Sequence, residues 1–503
     1  MKKILYLFLA LLICLGCTTE SVSDAKQESA LPAIYPDYLG VTIPVNIAPL
    51  DFCMADEDVL LIDAVIADHK GNTLHSQGEE SVGFDIDDWH QLLDRNRGDS
   101  LSVTVSAKYA DGWHTYQTFS INVSPDSIDY GICYRLIAPG HEVWSKMGIY
   151  ERNLSTFDER ALIENTQFEG CVNCHSFNRG NPADMSLHIR GPHGATLLKK
   201  SDGSITAYDT KTDQTLGLCV YPYWHPSGRY IAYSTNATHQ LFHSVDHNRI
   251  EVFDDTSDLQ VYDVENNELI LSPLVKQDSI FETYPVFSPD GRSVYFCAAR
   301  AIPDVNTHLD SLRYSLCRID FDPETGNFGN RIDTLIVSGF LSQDSTLRSP
   351  VSVCFPRPSY DGRFICYTLA DYGQFSIWHH EADLYLLDLA TGKSRPMTEA
   401  NSEDTESFHN WSTNSRWLVF SSRRDDGLFT RPYFCHVDAK GNVTKPFMLP
   451  QQNPRRFYRE RFLSFNVPDF ITGPTQFDSH QASRLINDAS RKNFGVRRQS
   501  NIE

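Results

Sequence analysis

Apolar and polar residues alternate along this chain over short runs, the period of a strand whose two faces meet different surroundings. In the first third, residues 40–45, 59–66, 101–107 and 116–123 alternate or run apolar at strand length. Turn residues separate them, among them Lys70-Gly71-Asn72 and Asp111-Gly112. This pattern predicts an immunoglobulin-like β-sandwich over 36–127, suited to a spacer or docking role. Val, Ile, Thr and Tyr fill many of the positions, which favours strands over long helices throughout.

The second half repeats one grammar. Tyr221-Pro222-Tyr223-Trp224-His225-Pro226-Ser227-Gly228-Arg229 is followed by an alternating apolar run, and so is Tyr284-Pro285-Val286-Phe287-Ser288-Pro289-Asp290-Gly291-Arg292. Pro356-Arg357-Pro358-Ser359-Tyr360-Asp361-Gly362-Arg363 and the degenerate Asn410-Trp411-Ser412-Thr413-Asn414-Ser415-Arg416 follow the same rule. An aromatic strand end meets a turn built on Pro, Asp-Gly or polar substitutes, and a second strand leaves it. Further strands lie between, at 258–264 and 383–392. Two hairpins per unit make a four-stranded blade, and blades cover their apolar faces by stacking around an axis. Gly228, Gly291 and Gly362 are 63 and 71 residues apart, with 53 more to Ser415. Propeller repeats ordinarily run about 40–50 residues, so these blades carry insertions, such as 237–253 and 301–313. The prediction is a mostly β chain with a propeller of five to seven blades, six preferred, over 201–450.

The Ser288-Pro289-Asp290-Gly291-Arg292 core and the later Asp383-x-Tyr385-x-x-Asp388-x-x-Thr391-Gly392 resemble the WD-type repeats of TolB-like periplasmic proteins, over roughly 200–450. The resemblance implies a propeller scaffold for protein interaction. The different N-terminal domain of TolB itself finds no counterpart in the sequence.

Ahead of the propeller stands Gly170-Cys171-Val172-Asn173-Cys174-His175, the Cys-x-x-Cys-His spacing that attaches a c-type haem. Two thiols three positions apart can each add to a haem vinyl group, with His175 delivered to one face of the iron. The other readings are a disulfide between Cys171 and Cys174, or half of a zinc site. With its flanks, from Tyr130 to Gly194, the segment resembles a group of exported TolB-like lipoproteins with an embedded Cys-x-x-Cys-His. If haem is attached, Met185 is the first candidate for sixth ligand, since a thioether opposite an imidazole suits electron transfer. His188 and His193 are the alternatives. Against these stand plainer roles: Met185 filling core volume and the histidines hydrogen-bonding within a Gly-rich loop.

The compartment agrees with covalent haem. Lys2 and Lys3 precede an apolar run, 4–15, too short to span a bilayer and ending in Leu15-Gly16-Cys17, as in a signal peptide. Gly16-Cys17 resembles the bacterial lipoprotein processing box, which makes Cys17 the lipidated first mature residue, although Cys14 stands where such boxes usually carry Leu. Ordinary secretory cleavage is the alternative. The implied organisation is a leader and lipidation Cys at 1–17, a tether at 18–35, the sandwich at 36–127, the Cys-x-x-Cys-His segment at 128–200, the propeller at 201–450 and an extension at 451–503. A net charge of -21 argues against nucleic acid as partner. Of the twelve cysteines, eight (Cys53, Cys133, Cys219, Cys297, Cys317, Cys354, Cys366 and Cys435) sit mostly in apolar runs, as buried free thiols do.

Enzyme machinery is not recognisable. No Gly-x-Ser-x-Gly elbow, phosphate-binding Gly loop, dinucleotide fingerprint or His-Glu-x-x-His occurs. Asp254, Asp255 and Asp258 read as a solvated acidic loop or a cation site, and the basic stretch 455–461 as extended chain lying on the propeller or a partner. Two functions follow. One is an envelope lipoprotein, periplasm-facing and held by its N-terminal lipid, whose single haem c transfers electrons or senses redox state while the propeller docks an envelope protein or redox partner. The other is a haem-free scaffold with Cys171 paired to Cys174.

Overall fold

The computed structural model describes residues 19–140, 146–244, 246–338, 351–488 and 491–499, so the apolar leader and Cys17 lie outside the described residues. The chain forms two compact units.

The smaller unit takes the chain up to Gly40, Pro49–Val123 and Pro450–Arg459. Its main sheet pairs Leu61–Ala67 with Thr73–Gly78 on one side and Ser100–Tyr109 on the other, all antiparallel. Ile62, Ala64 and Ile66 alternate inward, as do Leu101, Val103, Val105 and Ala107. The strand pattern does not foresee helix Ile86–Arg95, which buries Trp89, Leu92 and Leu93 at the i, i+3, i+4 spacing of one face. Asp85 caps it, its carboxylate accepting from the amides of Asp87 and Asp88. The basic stretch returns to this unit as helix Pro454–Glu460, where Arg459 pairs with Glu57 at 2.9 Å.

The larger unit is a six-bladed propeller of antiparallel blades. Blade 1 comprises Gly131–Ile137, Gly148–Asn153 and Glu159–Glu164, completed by Ser464–Ile471 from the far end of the chain. Blade 2 is Cys171–Asn178, Asn181–Arg190, Ala195–Lys199 and Ile205–Asp209. Blade 3 is Cys219–Trp224, Tyr230–Phe242, Ile250–Asp263 and Glu268–Leu271. Blades 4, 5 and 6 begin with Ile280–Phe287, Ser352–Pro358 and Glu406–Trp411. The six inner strands touch in succession and close a ring around a central channel. Lys492–Asn493 and Gly495–Arg498 add parallel outer strands to blades 2 and 3, covering edges that would otherwise expose unpaired backbone. The core lies between blade faces: Cys133, Ile149, Val172, Met185 and Ile471 fill the gap between blades 1 and 2.

Segment 128–200 and much of 451–503, set apart from the propeller on sequence grounds, are therefore blades 1 and 2 and the strands that finish blades 1 to 3. The reason is physical: blades 1 and 2 lack the Ser-Pro-Asp-Gly turn, and the strand that completes blade 1 comes more than 300 residues later.

The repeated turn has a specific job. The hydroxyls of Ser288, Ser359 and Ser412 donate to Asp290, Asp361 and Asn414 at 2.6–2.7 Å. Each also accepts from the amide five residues on, at 2.9–3.0 Å. Gly291 and Gly362 then take φ of 73° and 72°, and in the degenerate copy Ser415 takes 60°.

A second repeat lies in the inner strands. Cys174, Tyr221, Tyr284, Phe355, Phe408 and Val467 all sit at φ between 42° and 52°, one per blade. The register shifts at each, so every inner strand carries a bulge at the same level. A left-handed non-Gly residue costs about 1–2 kcal/mol, and its recurrence around the ring marks it as part of the architecture. The next residue is Pro222, Pro285, Pro356 or Pro468 in four blades, where a missing N–H loses no ladder bond. In the other two it is His175 and His409.

Candidate functional site

Cys171, Cys174 and His175 thus lie on the inner strand of blade 2, with Cys174 at its bulge. All three line a cavity of about 360 Å3 that opens on the channel. Both thiols are free. Burial pushes the Cys174 thiol up, against the pull of Arg190. The eight other cysteines named above are free and buried.

His175 is only 5 % exposed. Its Nε2 lies 3.3 Å from the carbonyl of Cys133, on the preceding blade. Burial lowers its pKa to about 4, with the Cys133 and Val467 carbonyls opposing the shift and Arg135 adding to it, so the ring is neutral at pH 7. His409 occupies the same position in blade 6. Its Nε2 lies 2.9 Å from the carbonyl of Cys366, again on the preceding blade, and burial lowers it to about 3. Each imidazole ties its inner strand to the neighbouring blade. Trp224 and Trp411, three residues past their bulges, do the same by donating to the carbonyls of Ser176 and Arg357.

The three sixth-ligand candidates do not reach this cavity. Met185 faces Phe177 across the first two strands of blade 2, in the core. His188 is buried with Nδ1 3.1 Å from Thr196, and burial with Arg190 lowers it to about 3. His193 lies in the turn beyond blade 2's second strand, its carbonyl accepting from Arg491. Asp254 and Asp258 are not solvated: both are buried on Ile250–Asp263. Asp254 accepts from Asn236, Thr238 and Gln374, and Asp258 pairs with Lys276 at 2.5 Å. Among the described residues, no group of three or more His, Cys, Asp or Glu side chains is placed to hold a metal.

Two features of the cavity escaped the sequence pattern. Its wall carries Tyr221, Phe355, Phe375, Trp378 and Phe408, with Arg135, Arg190, Arg357 and Arg423 and, among the described residues, no carboxylate. These side chains come from five blades, so no local spacing unites them. The second feature is an arm formed by the extended hairpin of blade 3, Tyr230–Phe242 with Ile250–Asp263, which supplies Thr238, Gln240 and Val252 to the wall. The arm is fastened to the loop 371–382 of blade 5. Glu251 accepts from Tyr372 at 2.5 Å and from His379 Nε2 at 3.0 Å, while His379 Nδ1 lies 3.1 Å from Glu381. Burial opposes charge on His379, but bonds to both glutamates outweigh it and raise the ring to about 9. Glu381 is lowered to about 2, its burial outweighed by His379.

This is a six-bladed β-propeller with a basic, aromatic cavity at its channel. Among solved structures it is similar to the tricorn protease, at 12 % identity and a TM-score of 0.36 over 80 % of this chain, which spans 42 % of that one. It is also similar to a Bacteroides thetaiotaomicron protein of unknown function, at 8 % identity and a TM-score of 0.31, over 86 % of this chain and all of the other. A prolyl oligopeptidase B from Galerina marginata matches at 8 % identity and a TM-score of 0.34, over 83 % of this chain and 54 % of that one. No protein-family model and no curated protein matches the chain. Among the described residues, no helix is long and apolar enough to cross a membrane.

Proposed function

We propose that the protein is an exported, lipid-anchored scaffold that carries one haem c on Cys171 and Cys174 and transfers electrons or senses redox state at the cell envelope. The observation that carries this reading is that both free thiols of the Cys-x-x-Cys-His motif line one cavity with an aromatic wall. The donor set fits attachment: two thiols, apolar surface for a porphyrin face and arginines for its anionic edge. His175, the motif's axial ligand, would have to exchange its bond to the Cys133 carbonyl for iron. Bound there, haem would supply a one-electron couple. Cys17 would hold the lipid, the 36–127 unit, read as an immunoglobulin-like sandwich, would serve as spacer, and the propeller would dock an envelope or redox partner.

One observation favours a second reading, a haem-free scaffold: His409 does the work of His175 in a blade that has no such cysteines. The test is a haemochrome spectrum with intact mass of the full chain, made beside a c-type maturation system, with Cys171→Ala/Cys174→Ala as control. A covalent haem lost in the control is expected. Protein of unmodified haem-free mass, from a host that matures a reference cytochrome normally, overturns the haem reading and leaves the scaffold.

A further inference from the structure

We propose that Arg135, Arg190, Arg357 and Arg423 form a cradle for a ligand that carries two carboxylates on a flat, largely apolar body. The inference concerns the cavity of the haem reading and rests on that reading only for the choice of probe.

The argument begins with charge. In a chain of net charge -21, one cavity gathers four arginines and, among the described residues, no aspartate or glutamate. None of the four comes within 4 Å of a carboxylate among the described residues, although arginines elsewhere, such as Arg229, Arg424 and Arg461, are paired at 2.6–2.9 Å. Arg423 is only 6 % exposed, its guanidinium rests 4.0 Å over Trp378, and its Nε has no hydrogen-bond partner. Burial pushes it down to about 10, with Asp404 and Asp426 opposing from a distance. Arg135 reaches only Asn173, at 2.6 Å, and its Nε is likewise unpartnered. Arg357 stacks 3.8 Å over Phe355 and donates to its own neighbour's carbonyl. Asp254 and Asp469, which these arginines feel at longer range, are already held by neutral donors.

A buried cation without a partner is expensive, and like charges around one cavity add to the cost. A ligand carrying carboxylates relieves both, because guanidinium and carboxylate match as planar forks. The aromatic wall then selects a flat apolar body between the anionic groups. Arg190 lies in register with Cys171 on the adjacent strand, and Arg135 bonds Asn173, so part of the cradle stands directly beside the cysteines.

The test uses the full chain with Cys171→Ala/Cys174→Ala, which removes covalent attachment, and titrates it with protoporphyrin IX and with its dimethyl ester. The diacid is expected to bind at least tenfold more tightly than the diester. Arg190→Gln and Arg423→Gln are each expected to weaken the diacid about tenfold, the loss of one charge-assisted hydrogen bond, and to leave the diester unchanged. Arg423→Gln also unstacks Trp378, so Arg190→Gln, at a less buried site, guards against a folding artefact. Equal affinities for diacid and diester, unchanged diacid affinity in both arginine variants, or no saturable binding by the folded chain each overturn the cradle. Failure is separable from that of the haem reading. Covalent haem on the wild type with arginine-independent diacid binding removes the cradle alone. Arginine-dependent binding in a chain that never acquires covalent haem removes the haem alone.

Discussion

His175 and His409 make the same bond from the same place in two blades, and only one of them has cysteines beside it. That pairing permits a controlled measurement. In the haem-free Cys171→Ala/Cys174→Ala chain, His175→Gln and His409→Gln are each expected to lower unfolding free energy by about 1–2 kcal/mol, the scale of one buried hydrogen bond lost. Denaturant melts check this, and a negligible effect at His175 beside a clear one at His409 would refute their equivalence. The Cys-x-x-Cys-His motif was legible as residues and spacing, but its setting was not. Sequence spacing cannot reveal that Cys174 occupies the bulge where Tyr221, Tyr284, Phe355 and Phe408 stand in other blades. Nor does it show that Met185 faces inward, because a strand's register decides that.

Among elements, the arm of blade 3 is the one whose hold depends on charge. His379 sits between Glu251 and Glu381 with its pKa raised from 6.5 to about 9. A raised pKa means the folded state binds the proton more tightly. Its contribution to stability is therefore fully present below pH 6.5 and is lost as pH rises through about 9. Amide exchange over 237–256 is expected to quicken between pH 7 and 9.5, after correction for intrinsic rates. In His379→Gln it should be fast already at pH 7 and show little further pH dependence. An arm equally protected in both chains would mean that Gln374, Tyr372 and Asn248 hold it unaided. The insertion was visible as excess length in the repeat, but the fastening was not, since its partners lie on either side of more than 100 residues of chain.

On the scale of the molecule, the repeated turn made four of the blades readable. Ser288, Ser359 and Ser412 organise three of those turns through bonds to residues within five positions, and information that local survives in sequence. Blade 1 was unreadable for the opposite reason, its inner strand being supplied by Ser464–Ile471. A chain ending at residue 462 lacks that strand, leaving one edge of Gly131–Ile137 unpaired and the inner strands of blades 6 and 2 without the strand that joins them. Such a chain is expected to lose its cooperative thermal transition and to be cut rapidly by thermolysin, whereas one ending at residue 488, without the outer strands of blades 2 and 3, should keep both properties. A cooperative melt in the shorter chain would show that five blades and three strands of the sixth suffice.

That late strand also orders events in time. Ribosomes deliver Cys171 and Cys174 long before Ser464, so until that strand is made the ring of blades stays an open crescent with both thiols within reach. A group attached there, as the haem reading requires, would be able to arrive from the side while the gap remains. Once Ser464–Ile471 slots home the crescent becomes a closed hoop, and any group carried on the thiols is walled in by a strand made long after them.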